Sequence, residues 1–150
     1  MKMTFKLMLI LTGISIISLL GCKKHEGRAI IITGSNTTVK VPGTLTGTFT
    51  TSGAFNTSGI AEMVVVPNGD DSIHCTYTMT ATEGKFVMSM DCEKPPAMNG
   101  AWTINHGTGA YGGLKGVGTL VMMFPPDVPD GVLSTETMTG VVWLPRWHGR

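Results

Sequence analysis

The chain reads as all-β: a single antiparallel barrel of about eight strands, with a β-sandwich as the alternative. Three observations carry this. Short runs rich in threonine, valine and methionine recur between turn residues. No window of the chain beyond its first twenty residues keeps a helical period. One hairpin, around Glu83-Gly84, separates polar from apolar side chains so cleanly that its two faces can be written down.

The first 21 residues are an address. Lys2 and Lys6 form a short basic region before a mostly apolar stretch over 7–20. That stretch is too short for a comfortable membrane-spanning helix, which needs roughly 20 apolar residues, and it suits a signal-peptide core. It ends in Leu19-Leu20-Gly21-Cys22, which resembles the bacterial lipobox. The resemblance implies cleavage after Gly21 and acylation of Cys22 with palmitate-type chains, and hence a lipoprotein held on a membrane. Lys23 and Lys24 follow in place of an aspartate, so an outer-membrane address, periplasmic or surface side, is expected. Residues 22–28 are then a short polar tether, and 29–150 one domain.

Charge and cysteine count agree with export. Removal of Lys2 and Lys6 leaves nine basic against ten acidic residues, which gives no electrostatic basis for nucleic-acid binding. Of the three cysteines, lipidation takes Cys22 and leaves Cys75 and Cys92 as a candidate disulfide.

Strands are expected over 29–33, 43–51, 60–66, 72–82, 85–92, 100–105, 116–124 and 132–144. The breaks between them include Gly34-Ser35-Asn36, Asn56-Thr57-Ser58-Gly59, Pro67 to Asp71, Pro95-Pro96 and Pro125 to Gly131. With Glu83-Gly84 as a two-residue loop, Met79 faces Met88, Tyr77 faces Met90 and Cys75 faces Cys92. One face is then Ala, Phe, Met, Tyr and Cys; the other carries Thr76, Thr78, Thr80 and Thr82. Tyr77, Met79, Met88 and Met90 are the candidate lining of an adaptable apolar pocket, since the methionine thioether is flexible and polarisable. Core filling is the simpler reading of the same side chains. Asp91, Glu62 and Tyr77 are the candidate interior polar groups, although the hairpin parity sends Asp91 away from Tyr77.

Between two of these strands lies a glycine-rich corner. Gly107-Thr108-Gly109-Ala110-Tyr111-Gly112 spells GxGxxG, yet no helix can follow through Gly113, Gly116 and Gly118, so no nucleotide cofactor is expected. Trp102, Gly107, Gly109, Tyr111 and Gly116 instead have the makings of a bend in a curved sheet, with Trp102 filling the core and Tyr111 covering the turn. The scattered His25, His74, His106 and His148 show no paired spacing for a metal.

The pattern of Trp102-Thr103-Ile104, Gly107-Thr108-Gly109-Ala110-Tyr111, Leu114-Lys115-Gly116 and Gly118-Thr119 resembles the allene oxide cyclase and dirigent-like barrels, including small exported bacterial members. Gly43 to Phe49 and Ser52 to Phe55 add to it. The resemblance implies an eight-stranded barrel, homo-oligomerisation, and an apolar interior able to take a small hydrophobic molecule. It carries no catalytic residue onto this chain. The expected role is therefore non-catalytic, binding a small apolar ligand or serving as an accessory domain. An isomerase or cyclase, and a purely structural surface lipoprotein, are the alternatives.

Overall fold

A computed structural model describes residues 26–69, 71–93 and 98–144. Cys22, Pro95-Pro96 and the segment from Pro145 onward lie outside the described residues, as do His25 and His148. Eight strands follow one another: β1 (Arg28–Val41), β2 (Thr44–Gly53), β3 (Thr57–Pro67), β4 (Ser72–Ala81), β5 (Gly84–Glu93), β6 (Met98–Gly109), β7 (Lys115–Met123) and β8 (Ser134–Trp143). Each pairs antiparallel with the next, and β8 returns to β1, closing the barrel. The fold is all-β, as the sequence predicts. Closure leaves no unpaired sheet edge, and the whole ladder lies within residues 28–143.

Alternation sets the interior. Ile30, Phe49, Met63, Tyr77, Met88, Trp102, Leu120 and Met138 face inward and are almost fully buried, while the intervening positions are threonine-rich and face out. The interior is thus apolar, where that of a membrane-spanning barrel is polar, and the outer face mixes threonine with exposed Ile31, Ile60, Val66, Val117 and Val121. An eight-stranded barrel has room inside for side chains or for one small ligand.

The two ends of the barrel differ. The end where β2 meets β3, β4 meets β5 and β6 meets β7 is plugged by four rings. Phe86 packs edge-on against Phe49 and Tyr111 at centroid separations of 5.8 and 5.2 Å, and Phe55 packs on both Phe86 and Tyr111. The opposite end is reached by the 124–133 connection, tied down where the Leu133 N–H donates to the Asn36 carbonyl.

Trp102 lies across the interior along a row made for it. Its partner on β7 is Gly118, whose partner on β8 is Gly140. A β-carbon at either glycine would sit 2.5–2.6 Å from the indole ring. The two glycines are thus required by close approach of the ring. The indole N–H donates to the Thr119 carbonyl at 3.0 Å.

Four expectations need correction, the first at Asn56 to Gly59, where β3 already starts at Thr57 and pairs with β2. Gly34-Ser35-Asn36 is not a break: β1 runs through it for 14 residues. Gly34 is there because Glu136, directly opposite, fills the space its β-carbon would need. In the β4–β5 hairpin the loop is Thr82-Glu83, with Ala81 opposite Gly84. The register is therefore two residues from the expected one: Tyr77 faces Met88, Met79 faces Phe86, and Cys75 faces Met90 rather than Cys92. Gly84 belongs to the strand because its backbone, at φ +150°, presses against Gly109 of β6. A two-residue shift preserves parity, so both faces keep their predicted occupants. Finally, β6 extends to Gly109, and the corner proper is 110–114. Asn105 is an extra residue in β6 opposite the Val87–Met88 step, a bulge that lets the strand continue past the predicted end.

Candidate functional site

The candidate site is a polar cluster inside the barrel, toward the end opposite the aromatic plug. Four side chains from three strands form it: Asn36 on β1, Tyr77 on β4, Ser134 and Glu136 on β8. Asn36 and Ser134 are cross-strand partners, and Glu136 lies two residues further along the same inner face, opposite Gly34. Tyr77 reaches across the lumen from β4 to meet them.

The Asn36 amide nitrogen is the hub. It lies 2.6 Å from Glu136 Oε1, 3.0 Å from Ser134 Oγ and 3.1 Å from Tyr77 Oη. The Ser134 hydroxyl donates to the same Glu136 Oε1 at 2.7 Å. The donors thus crowd one carboxylate oxygen. The other, Oε2, has no hydrogen-bond partner among the described residues, and neither does Asn36 Oδ1. Asn36 and Glu136 are 1% and 2% exposed, so water does not reach these oxygens from outside. Buried acceptors without a donor are rare and costly.

Burial pushes the Glu136 carboxyl above the usual carboxylate range, and the donors from Ser134, Tyr77 and Asn36 pull it only part of the way back. Tyr77 is also pushed well above its ordinary value, by burial first and by the neighbouring Glu136 second. The described basic side chains offer Glu136 no counter-charge: Arg28, Lys40, Lys85, His106 and Lys115 are exposed, and His74 pairs with Asp91 on the outer face.

Tyr77, Met79, Met88 and Met90 all point inward and are fully buried, so the structure gathers the four predicted lining residues in one interior. Of the predicted polar groups, only Tyr77 is inside. Asp91 binds His74 on the outer face at 2.8 Å, and Glu62 pairs with Lys40 there at 2.6 Å. Trp102 and Tyr111 occupy core positions, and Gly116 faces inward between Ile104 and Val142. Gly107 packs against the Tyr111 backbone and Gly109 adopts positive φ at the turn.

Cys75 and Cys92 are buried free thiols. They lie on the same inner face, one register step apart on the diagonal of β4 and β5. Their mutual hydrogen bond, with burial, raises Cys75, and the same bond lowers Cys92.

The residues missed by sequence are Asn36, Ser134 and Glu136. A signal for two of them was present. In β8, Thr135, Thr137 and Thr139 alternate with Ser134, Glu136 and Met138. If threonine marks the outer face there as it does in β4, the serine and glutamate must be inside.

No family model, curated protein or solved structure matches this chain.

Proposed function

We propose that this is a lipid-anchored envelope barrel of the allene-oxide-cyclase-like and dirigent-like kind that binds one small, largely apolar molecule without transforming it. The observation that carries the binding reading is the pair of buried, unpartnered acceptors, Glu136 Oε2 and Asn36 Oδ1, in an interior otherwise lined by methionine, phenylalanine and isoleucine. Ligand sites are built this way: mostly apolar walls with a few convergent polar groups that fix orientation. The methionines lend adaptability, since their flexible side chains repack around a guest at small cost. The closed eight-strand barrel and the glycine corner between β6 and β7 support the family reading, and the lipobox-like ending at Cys22 supports the anchor.

A second reading rests on the same cluster. A carboxyl raised by burial beside a tyrosine is an arrangement that can exchange a proton with a bound substrate, as an isomerase or cyclase requires.

Native mass spectrometry on residues 26–150, purified from the periplasm, tests the proposal; the complete ladder within residues 28–143 makes this a folding unit. A reproducible added mass that is lost on denaturation supports the carrier. Recovery of that mass as an isomer of the molecule supplied points to the enzyme. A bare polypeptide mass after incubation with fatty acids and terpenoids leaves the structural lipoprotein.

A further inference from the structure

The interior cluster specifies the head of its guest, an inference that rests on the ligand-binding reading above. Inside the barrel, the Tyr77 hydroxyl also turns its hydrogen toward Glu136, and the two atoms left without a partner among the described residues are both acceptors. Glu136 Oε1 already receives the Ser134 hydroxyl and the Asn36 amide, whereas Oε2 and Asn36 Oδ1 receive nothing from the described residues. A guest presenting another acceptor, such as a carboxylate or a carbonyl, would worsen the imbalance. A guest presenting donors would resolve it. One hydroxyl can serve one of the two oxygens; a nitrogen bearing several hydrogens can serve both.

Charge narrows the choice further. Glu136 is an acid in an apolar interior with no described basic side chain against it, since Arg28, Lys40, Lys85, His106 and Lys115 are exposed and His74 is engaged by Asp91. A buried carboxylate without a counter-ion is costly, and one partnered by a cation that also hydrogen-bonds to it is not. The position of Gly34 adds a steric argument. It sits opposite Glu136, and a β-carbon there would lie 2.6 Å from Oε2. The glycine therefore gives room to Oε2 itself, the one carboxylate oxygen that lacks a donor among the described residues.

We infer that the barrel takes an amphiphilic primary amine, its ammonium head held by Glu136 Oε2 and Asn36 Oδ1 and its apolar tail among the methionines. Tyr77 acts as a positioning residue, its hydroxyl beside the Asn36 amide nitrogen that anchors the cluster.

The test is a matched series on residues 26–150: octylamine, octanol and octanoate, each followed by native mass spectrometry and by the shift it produces in thermal unfolding. The expected order is amine, then alcohol at about tenfold weaker binding, in line with the greater strength of charge-assisted hydrogen bonds, with octanoate weakest. Glu136→Gln should bring amine and alcohol to similar affinity while leaving the alcohol bound. Gly34→Ala, whose β-carbon would displace Oε2, should weaken the amine without changing any charge. Equal binding of amine and alcohol by the unmodified barrel, or an amine preference that survives Glu136→Gln, overturns the inference and leaves the ligand reading standing. Binding of none of the three overturns both.

Discussion

The Asn36 amide donates to the Glu136 carboxylate across 2.6 Å, joining residues 100 positions apart in the chain. The contact exists only because β8 closes onto β1, the last pairing the barrel can make. It sits beside Leu133, whose N–H holds the long β7–β8 connection to the Asn36 carbonyl. Closure of the barrel and assembly of its polar cluster are one event.

The cluster gives stability a pH dependence of known sign. Burial raises the folded value of Glu136 above the unfolded value of about 4.3. Between those two values the native state holds a proton that the unfolded chain has released, so stability falls as pH rises through that window and levels off above the folded value. Cys75 and Tyr77, the other ionisable groups near Glu136, are both raised, so neither releases a proton there. Glu136→Gln should remove this slope. Urea midpoints of the two proteins, measured from pH 4 to 8, should diverge progressively in favour of the variant; parallel curves would show that the carboxyl keeps an ordinary value.

Gly118→Ala should destabilise by about 1–3 kcal/mol, the usual cost of overpacking. Its β-carbon would meet both the Trp102 ring and the Thr139 carbonyl oxygen, and backbone cannot step aside. Gly112→Ala is the control. It is exposed, its new carbon would meet only the Gly109 oxygen at 3.4 Å, and the change should stay within about 0.5 kcal/mol. Chemical denaturation of the pair decides whether the Trp102 row is as tight as described.

Phe86→Ala should cost about 3–5 kcal/mol, because Phe86 touches Phe49, Phe55 and Tyr111 and its loss opens the plugged end. Phe86→Leu should recover a large part of that loss. Thermal unfolding of both variants measures it, and near-equal melting points would show that the plug contributes little.

Much of the fold was legible in the sequence, and the reason is parity. Threonines on one side of β4 and methionines on the other are visible without knowing which residue faces which, so the interior positions Tyr77, Met79, Met88 and Met90 survive a hairpin register that was two residues out. What was not legible depended on contacts between distant strands. Gly34 and Gly84 look like turn residues, yet each is a strand residue whose missing side chain makes room for a neighbour, Glu136 in one case and Gly109 in the other. Asn36 is hidden for the same reason, since Gly34-Ser35-Asn36 has turn composition although β1 runs through it. The Asn105 bulge, which carries β6 on to Gly109, has no local signature at all.

Cys75 and Cys92 should both resist iodoacetamide in the folded protein, being buried behind β4 and β5. After unfolding, protein kept reduced should take up two labels at these positions. Protein matured in the periplasm, where a dithiol oxidase accepts the two hydrogens, should take up none and should be lighter by that pair. Mass spectrometry with and without prior reduction separates the outcomes, and full labelling of the periplasmic material would show that the diagonal placement keeps the thiols apart.

β1 begins at the aromatic end of the barrel, where β8 also finishes, since Arg28 stands opposite Val142. With the proposed anchor at Cys22, six residues of chain link the membrane to Arg28, a reach of at most about 20 Å. With that anchor, the plugged end would stand against the bilayer like a foot, and the 41–44 and 124–133 turns would form a crown on the side away from the lipid. Traffic to and from the Glu136 end would then pass through the aqueous side and never through the membrane.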